Sequence, residues 1–289
     1  MDSRLEELLR LLDLERLEDD LFRGESRDIG SPQVFGGQVL GQALRAASVT
    51  VPEDRAVHSL HAYFLRRGDF NTPIVYFVDR SRDGDSFSSR RVTAIQHGEQ
   101  IFNLSASFQK HQAGVEHQFS MPDVPPPEAL QDSQDLPDHV LRQLPERARR
   151  FLEFKRPFEF RPVQPRDWLQ PEPSSSVQQI WVRAVDRLPN DDALHRSLLA
   201  YASDYNLLFS ACRPHALSSL FGNVITASID HAMWFHRACR VDDWLLYATD
   251  SPSASGARGF ARGSFYTRDG TLVASTAQEG LMRPVDSKV

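Results

Sequence analysis

The feature that most limits what this chain can fold into is that it is written twice. The stretch at 223–237 reads as a strand, with Ile229, His231, Met233 and Phe235 on one face and Ser228, Asp230, Ala232 and Trp234 on the other. A weaker copy stands at 58–66, where His61-Ala62 matches His231-Ala232 and aromatic residues follow. What comes after each copy also matches in type and order. Residues 73–78 answer 243–248, 86–90 answer 254–258, and 96–101 answer 268–273, at an offset that stays at roughly 170 residues. That spacing is much longer than a solenoid period, so the expectation is one α+β unit repeated in tandem. The 289 residues are enough for two modest units that bury a real core.

The order of elements supports the repeat. Residues 3–14 predict an amphipathic helix, capped by Ser3 and striped with Leu8, Leu11 and Leu12. A strand at 20–29 enters a turn at 30–32. A helix follows at 35–47, although Gly36, Gly37 and Gly41 are poor helix formers. Two readings account for them: a backbone packed very close to another element, or a helix N-terminus whose free N–H groups face a carbonyl or phosphate. Four strands come next, at 57–66, 74–82, 86–96 and 100–109, with turns at Asp83-Gly84 and His97-Gly98.

Between 113 and 176 the composition changes, with eleven of the 18 prolines in this stretch, which predicts an extended, semi-rigid connector. Within it, 139–154 is amphipathic, with Pro145 delaying the helix start. The second unit opens on a strand at 158–163 and repeats the order. It has a strand at 177–185, a helix from the cap at Asn190-Asp191-Asp192 to about 209, and strands at 223–236, 244–249, 255–266 and 272–281. The expected division is therefore 1–112, a connector at 113–155, and 156–289.

Three polar residues stand out in the second half. At 100° per residue, Asp204 lies roughly 80° from the centre of the stripe made by Leu194, Leu198, Tyr201, Tyr205 and Leu208. A carboxylate there is partly desolvated and can accept a proton, or it can simply bond a neighbouring backbone group. Ser228 and Gln278 are polar residues among apolar neighbours, and each alone reads as a hydrogen-bonded core or edge group. The first half does not repeat these groups, since the position opposite Gln278 falls near Ala106. That divergence suggests that one half keeps the chemistry.

These motifs together resemble acyl-CoA thioesterase II, the TesB-like group of double hotdog proteins. The resemblance rests on FGGQVLGQAL at 35–44, VHSLHAYFLR at 57–66, YASDYN at 201–206, IDHAMWFHR at 229–237, SASGARGF at 253–260 and ASTAQEG at 274–280. It implies an antiparallel sheet wrapped round a long helix, twice per chain, and hydrolysis of medium- to long-chain fatty acyl-CoA to free acid and CoA. The catalytic Asp, hydroxyl residue and Gln of the family fall on Asp204, Ser228 and Gln278. Many members carry Thr where this chain has Ser228, which removes a rotamer-restricting methyl but keeps the hydroxyl. The expected mechanism is a water activated by Asp204 and held by Ser228 and Gln278, with a backbone N–H stabilising the oxyanion. Ser228 as a nucleophile ranks lower, because His231, on strict alternation, sits on the other strand face. An enoyl-CoA hydratase and a non-catalytic acyl-CoA-binding protein are the rival readings.

The net charge of −6 argues against nucleic acid, although Arg90, Arg91, Arg258 and Arg262 could form a local basic mouth for the CoA phosphates. Two cysteines, Cys212 and Cys239, give no extracellular framework and point to a cytoplasmic, reducing compartment. No window is apolar enough to span a bilayer, and the first residues lack a signal-peptide layout. Ser287-Lys288-Val289 ends in Val where a peroxisomal address ends in Leu, and reads as chance. No cofactor or metal is expected; Asp230, His231 and His236 have no metal-site spacing. Exposed sheet edges predict a homodimer or homotetramer.

Overall fold

The structure, a computed structural model, describes residues 1–285 apart from Pro32, Arg166 and Gln170, and describes Arg147 without its side chain. Pro32 of the expected turn and the C-terminal tripeptide lie outside the described residues. The chain runs α1 (Ser3–Leu12), β1 (Glu15–Glu18), β2 (Leu21–Gly24), α2 (Gly36–Ser48), and β3 to β6 (Arg55–Phe64, Ile74–Asp83, Phe87–Gln96, Glu99–Lys110). Then come α3 (Asp138–Gln143), α4 (Glu146–Glu153), β7 (Phe158–Pro162), β8 (Gln178–Ala184), α5 (Asp192–Ser203) and the short α6 (Phe209–Cys212). β9 (Val224–Ser228), β10 (Asp230–Phe235), β11 (Leu245–Ser255), β12 (Arg258–Thr267) and β13 (Leu272–Pro284) complete it.

Among the described residues the strands make one antiparallel sheet of 13 strands, ordered β1-β2-β4-β5-β6-β3-β10-β13-β12-β11-β8-β7, with β9 also on β13. The two halves meet at β3 and β10, where His61 pairs Ala232 and Ala62 pairs His231. A single core cluster runs through both halves, from Leu5 to Ala274.

The repeat is real, but its register differs by one residue from the sequence match. Asp79 pairs Arg91 just before a bulge, and Asp250 pairs Arg262 just before another, so both steps are of 171 residues. On that register Leu60, not His61, takes the place of His231. Burial agrees: Leu60 and His231 are both fully buried, whereas His61 lies exposed on the outer face, its ring 5.3 Å from that of Trp234. The Leu60–Ala106 pair of β3 and β6 thus stands where His231 and Gln278 stand in β10 and β13.

Several boundaries moved for identifiable reasons. Asp2, not Ser3, caps α1, its carboxylate accepting from Arg4 N at 2.9 Å. Pro145 splits the amphipathic stretch into α3 and α4. The helix expected to reach 209 stops at Ser203, because Asn206 turns the chain with a left-handed φ of 64°. Asp204 is therefore the C-cap of α5 and not an interior helical residue. The single strand expected at 223–236 is two, β9 and β10. Ser228 pairs Gly280 while Ala232 pairs Ala277, so three intervening residues on one strand oppose two on the other, a β-bulge.

The glycines of α2 serve both readings at once. The helix lies antiparallel against α5, and a Cβ on Gly37 would stand 2.3 Å from the Tyr201 carbonyl oxygen and 2.4 Å from the Phe35 ring. Gly37→Ala is accordingly expected to cost at least about 1–3 kcal/mol of overpacking. At about 2–4 °C per kcal/mol for a large domain, calorimetry should record a clear fall in Tm. An unchanged Tm would mean the two helices are not held this close.

Candidate active site

The bulge decides which side chains face the helices. Strict alternation sets Ser228 and His231 on opposite faces; one extra residue turns both to the inside. Asp230 fixes the bulge, its Oδ1 accepting from Glu279 N at 2.6 Å, while Ile229 N donates to Glu279 O. The structure thereby brings together Asp204, Ser228 and Gln278 from three distant points of the second half. Gln278 Nε2 donates to Ser228 Oγ at 2.6 Å, and both side chains present polar ends to the Asp204 carboxyl. From the other half, Gly37 N at the start of α2 donates to Asp204 Oδ2 at 2.9 Å. A Cβ on Gly36 would stand 2.7 Å from the same oxygen, so the approach of α2 to the carboxylate requires glycine there. Gly36 N–H has no acceptor among the described residues.

His231 is the member that the sequence reasoning missed, because period-two alternation turned it away. Its Nδ1 lies 2.9 Å from Gln278 Oε1 and its Nε2 3.0 Å from Ser203 Oγ. Burial drives its pKa below the ordinary histidine value, so the ring is neutral. Because Gln278 Oε1 can only accept, Nδ1 carries the proton, and the accepting Nε2 faces Ser203 Oγ, whose one proton is shared with Ala200 O at 2.8 Å. From there the donors point one way, His231 to Gln278 and Gln278 to Ser228.

Burial pushes the Asp204 carboxyl above the ordinary carboxylate value. Hydrogen bonds from Gln278, Gly37 N–H and Ser228 oppose that rise. The positive end of α2 favours the ionised form, as its own position at the end of α5 does not. The result is a carboxylate more basic than usual yet surrounded by donors that keep it available as an anion.

The site opens into a cavity of about 790 Å³. Asp204, Ser228, Gln278 and Gly36 lie on its wall, and Phe151, Leu152, Phe160, Ile180, Leu208 and Leu220 supply apolar lining. The connector, expected to act only as a spacer, is thus a wall of the cavity, packed through Leu144, Ala148 and Leu152 against Trp168 and Leu220. None of the four arginines expected at a basic mouth lines this cavity, and Arg91 is exposed on β5. Arg90 is buried, bonded to Thr50 and paired with Asp83, while Arg258 pairs with Glu279 and Arg262 with Asp250. Among the described residues no group of three or more His, Cys, Asp or Glu converges as a metal site, and no helix is long and apolar enough to cross a membrane.

Comparison with known proteins agrees with this geometry. The family model described as acyl-CoA thioesterase matches residues 148–281, and that of the acyl-CoA thioesterase N-terminal domain matches 23–109. The chain is 42% identical over 283 residues to acyl-CoA thioesterase 2 of Haemophilus influenzae, covering 98% of this chain and 99% of that one. The crystal structure of an acyl-CoA thioesterase II, TesB2, from Mycobacterium marinum superposes with a TM-score of 0.77 at 45% identity, over 96% of this chain and 99% of that one. A hot dog fold protein of unknown function from Alicyclobacillus acidocaldarius shares the fold, with a TM-score of 0.77 at 19% identity, over 96% and 99% of the two chains.

Proposed function

The chain belongs to the acyl-CoA thioesterase family, and from that premise we propose a mechanism in which Asp204 activates water directly against the thioester. The protein is a thioester hydrolase with a double hotdog fold, acting on acyl-CoA. In the proposed step, Asp204 takes a proton from a water held by Ser228 and Gln278. The hydroxide adds to the thioester carbonyl carbon, and Gly36 N–H is the donor offered to the oxyanion. Collapse breaks the C–S bond, and the proton on Asp204 passes to the departing CoA sulfur. The observation that carries this reading is the convergence of Asp204, Ser228 and Gln278 on one wall of the cavity. Ser228 as a nucleophile is disfavoured because its polar neighbours are Gln278 and a carboxylate, while His231 reaches Gln278 instead.

The size and apolar lining of the cavity support medium- to long-chain acyl groups, and no step calls for a metal or cofactor. We further propose a first unit at 1–112, a connector at 113–155 and a reactive second unit at 156–289; two separate family matches support two units, the second match beginning at 148 within the connector. A cytoplasmic location is supported by two free cysteines. A homodimer or homotetramer is supported by Tyr63, Phe77 and Trp234 exposed as large apolar side chains.

Thiol release from acyl-CoA of graded chain length tests the proposal, and its pH profile tests the base. A proton acceptor works only when ionised, so kcat/KM should fall with decreasing pH along a limb lying above the ordinary carboxylate range of about 4. A profile flat through that range would remove Asp204 as the base. No thiol release at any chain length would overturn the hydrolase reading itself.

A further inference from the structure

Among the described residues three arginines are nine-tenths or more buried, and two of them are satisfied from within. Arg90 donates to Thr50, Ser89 O, Arg82 O and Asp83; Arg196 donates to Asp192 and Val57 O. The third, Arg156, is 6% exposed and lines the cavity that holds Asp204. Its guanidinium forms no ion pair and no hydrogen bond with any described residue. It is held instead by aromatic faces, its Cζ lying 4.8 Å from the Phe151 ring centroid, 5.7 Å from Tyr205 and 5.9 Å from Phe160. The carboxylate whose field it feels, Asp132, accepts from Gln134 N at 3.0 Å and makes no ion pair with it. Next to Asp132, Ser133 also lines the cavity, and its buried Oγ has no partner either. The segments that carry them are tied together: Ser133 N donates to Phe160 O, and Arg156 N to Gln134 Oε1.

A buried guanidinium with empty donors is costly unless something supplies acceptors. Its planar fork matches a carboxylate through two parallel hydrogen bonds. The walls around it are those of an acyl pocket, and Tyr205, which contacts it, adjoins Asp204 in sequence. We propose that Arg156 and Ser133 form a carboxylate-binding subsite inside the acyl pocket, so that the enzyme favours acyl-CoA whose chain ends in a carboxylate, the mono-thioesters of dicarboxylic acids. This rests on the reading above that the cavity receives the acyl group.

The test compares thiol release from matched pairs of equal chain length, one methyl-ended and one carboxylate-ended, by wild type and by Arg156→Met and Arg156→Lys. At its best length, the carboxylate-ended member is expected to have the higher kcat/KM with wild type. Arg156→Met should lower the ratio of carboxylate-ended to methyl-ended kcat/KM at least tenfold, and Arg156→Lys, which keeps the charge but loses the fork, by less. Free dicarboxylate should also inhibit wild type more strongly than the monocarboxylate of equal length, a measurement independent of whether a variant folds. Equal kcat/KM for both members at every length with wild type would overturn the subsite. So would equal losses on both members in Arg156→Met, which would assign Arg156 to the shared CoA portion or to the fold. Absence of thiol release from every acyl-CoA, with dicarboxylate still bound more tightly than monocarboxylate by calorimetry, would sink the hydrolase reading and leave the subsite standing.

Discussion

Asp204→Asn should lower kcat by about 10²–10⁴, the usual contribution of a positioned proton acceptor, while KM stays within a few-fold of wild type. The Asn is isosteric and, with its oxygen turned to the place of Asp204 Oδ2, accepts from Gly37 N, so the cavity and the grip on substrate remain. What disappears is the ability to take a proton from water. The same variant should melt higher than wild type at neutral pH. Burial raises the Asp204 pKa in the fold, so this group contributes stability that is fully present below its unfolded pKa and lost as pH rises through the folded one. A permanently neutral Asn escapes that loss. Steady-state thiol release and calorimetry on one preparation check both halves. Wild-type turnover would dismiss Asp204 as the base. A lower Tm at neutral pH would mean that the donors around the carboxylate outweigh its burial.

His231→Leu is the second large effect. The carboxamide of Gln278 has one accepting end and one donating end, and His231 Nδ1–H determines which faces Ser228. Without that donor, Gln278 Oε1 is left buried and unpaired, and the amide is free to turn. A buried hydrogen bond left half-made costs about 1–3 kcal/mol, which corresponds to roughly 5- to 150-fold in rate if the loss falls on the transition state. The decrease should fall on kcat with little change in KM. His231→Asn, whose side-chain N–H can stand near the place of Nδ1, should recover a substantial part of it. A purely structural role predicts instead that both variants lose stability together and that Asn rescues nothing, which a parallel set of melting curves would reveal.

Much of the fold was legible because the duplication carries its own punctuation. The turns at Asp83-Gly84 and His97-Gly98 and the apolar alternation around them locate the strands within a few residues. Asp204, Ser228 and Gln278 were reached through family motifs, since each alone is an ordinary polar residue. What escaped was long-range. Whether Ser228 and His231 share a face depends on a bulge set by Asp230 bonding across to Glu279, a contact between residues 49 apart. The end of α5 turns on one left-handed Asn206, which a helical period does not register. The wall formed by the connector depends on Leu144, Ala148 and Leu152 meeting Trp168 and Leu220, and proline content alone says only that such a segment is extended.

The junction of β3 with β10 has a consequence for how such a chain can change. Backbone pairing across it, His61 with Ala232 and Ala62 with His231, is indifferent to side-chain identity. Two identical subunits joined this way would be obliged to change in step, because one gene spells both. Fusion lifts that obligation: Leu60 and Ala106 could become plain filler while His231 and Gln278 stayed polar, and neither change loosens the seam.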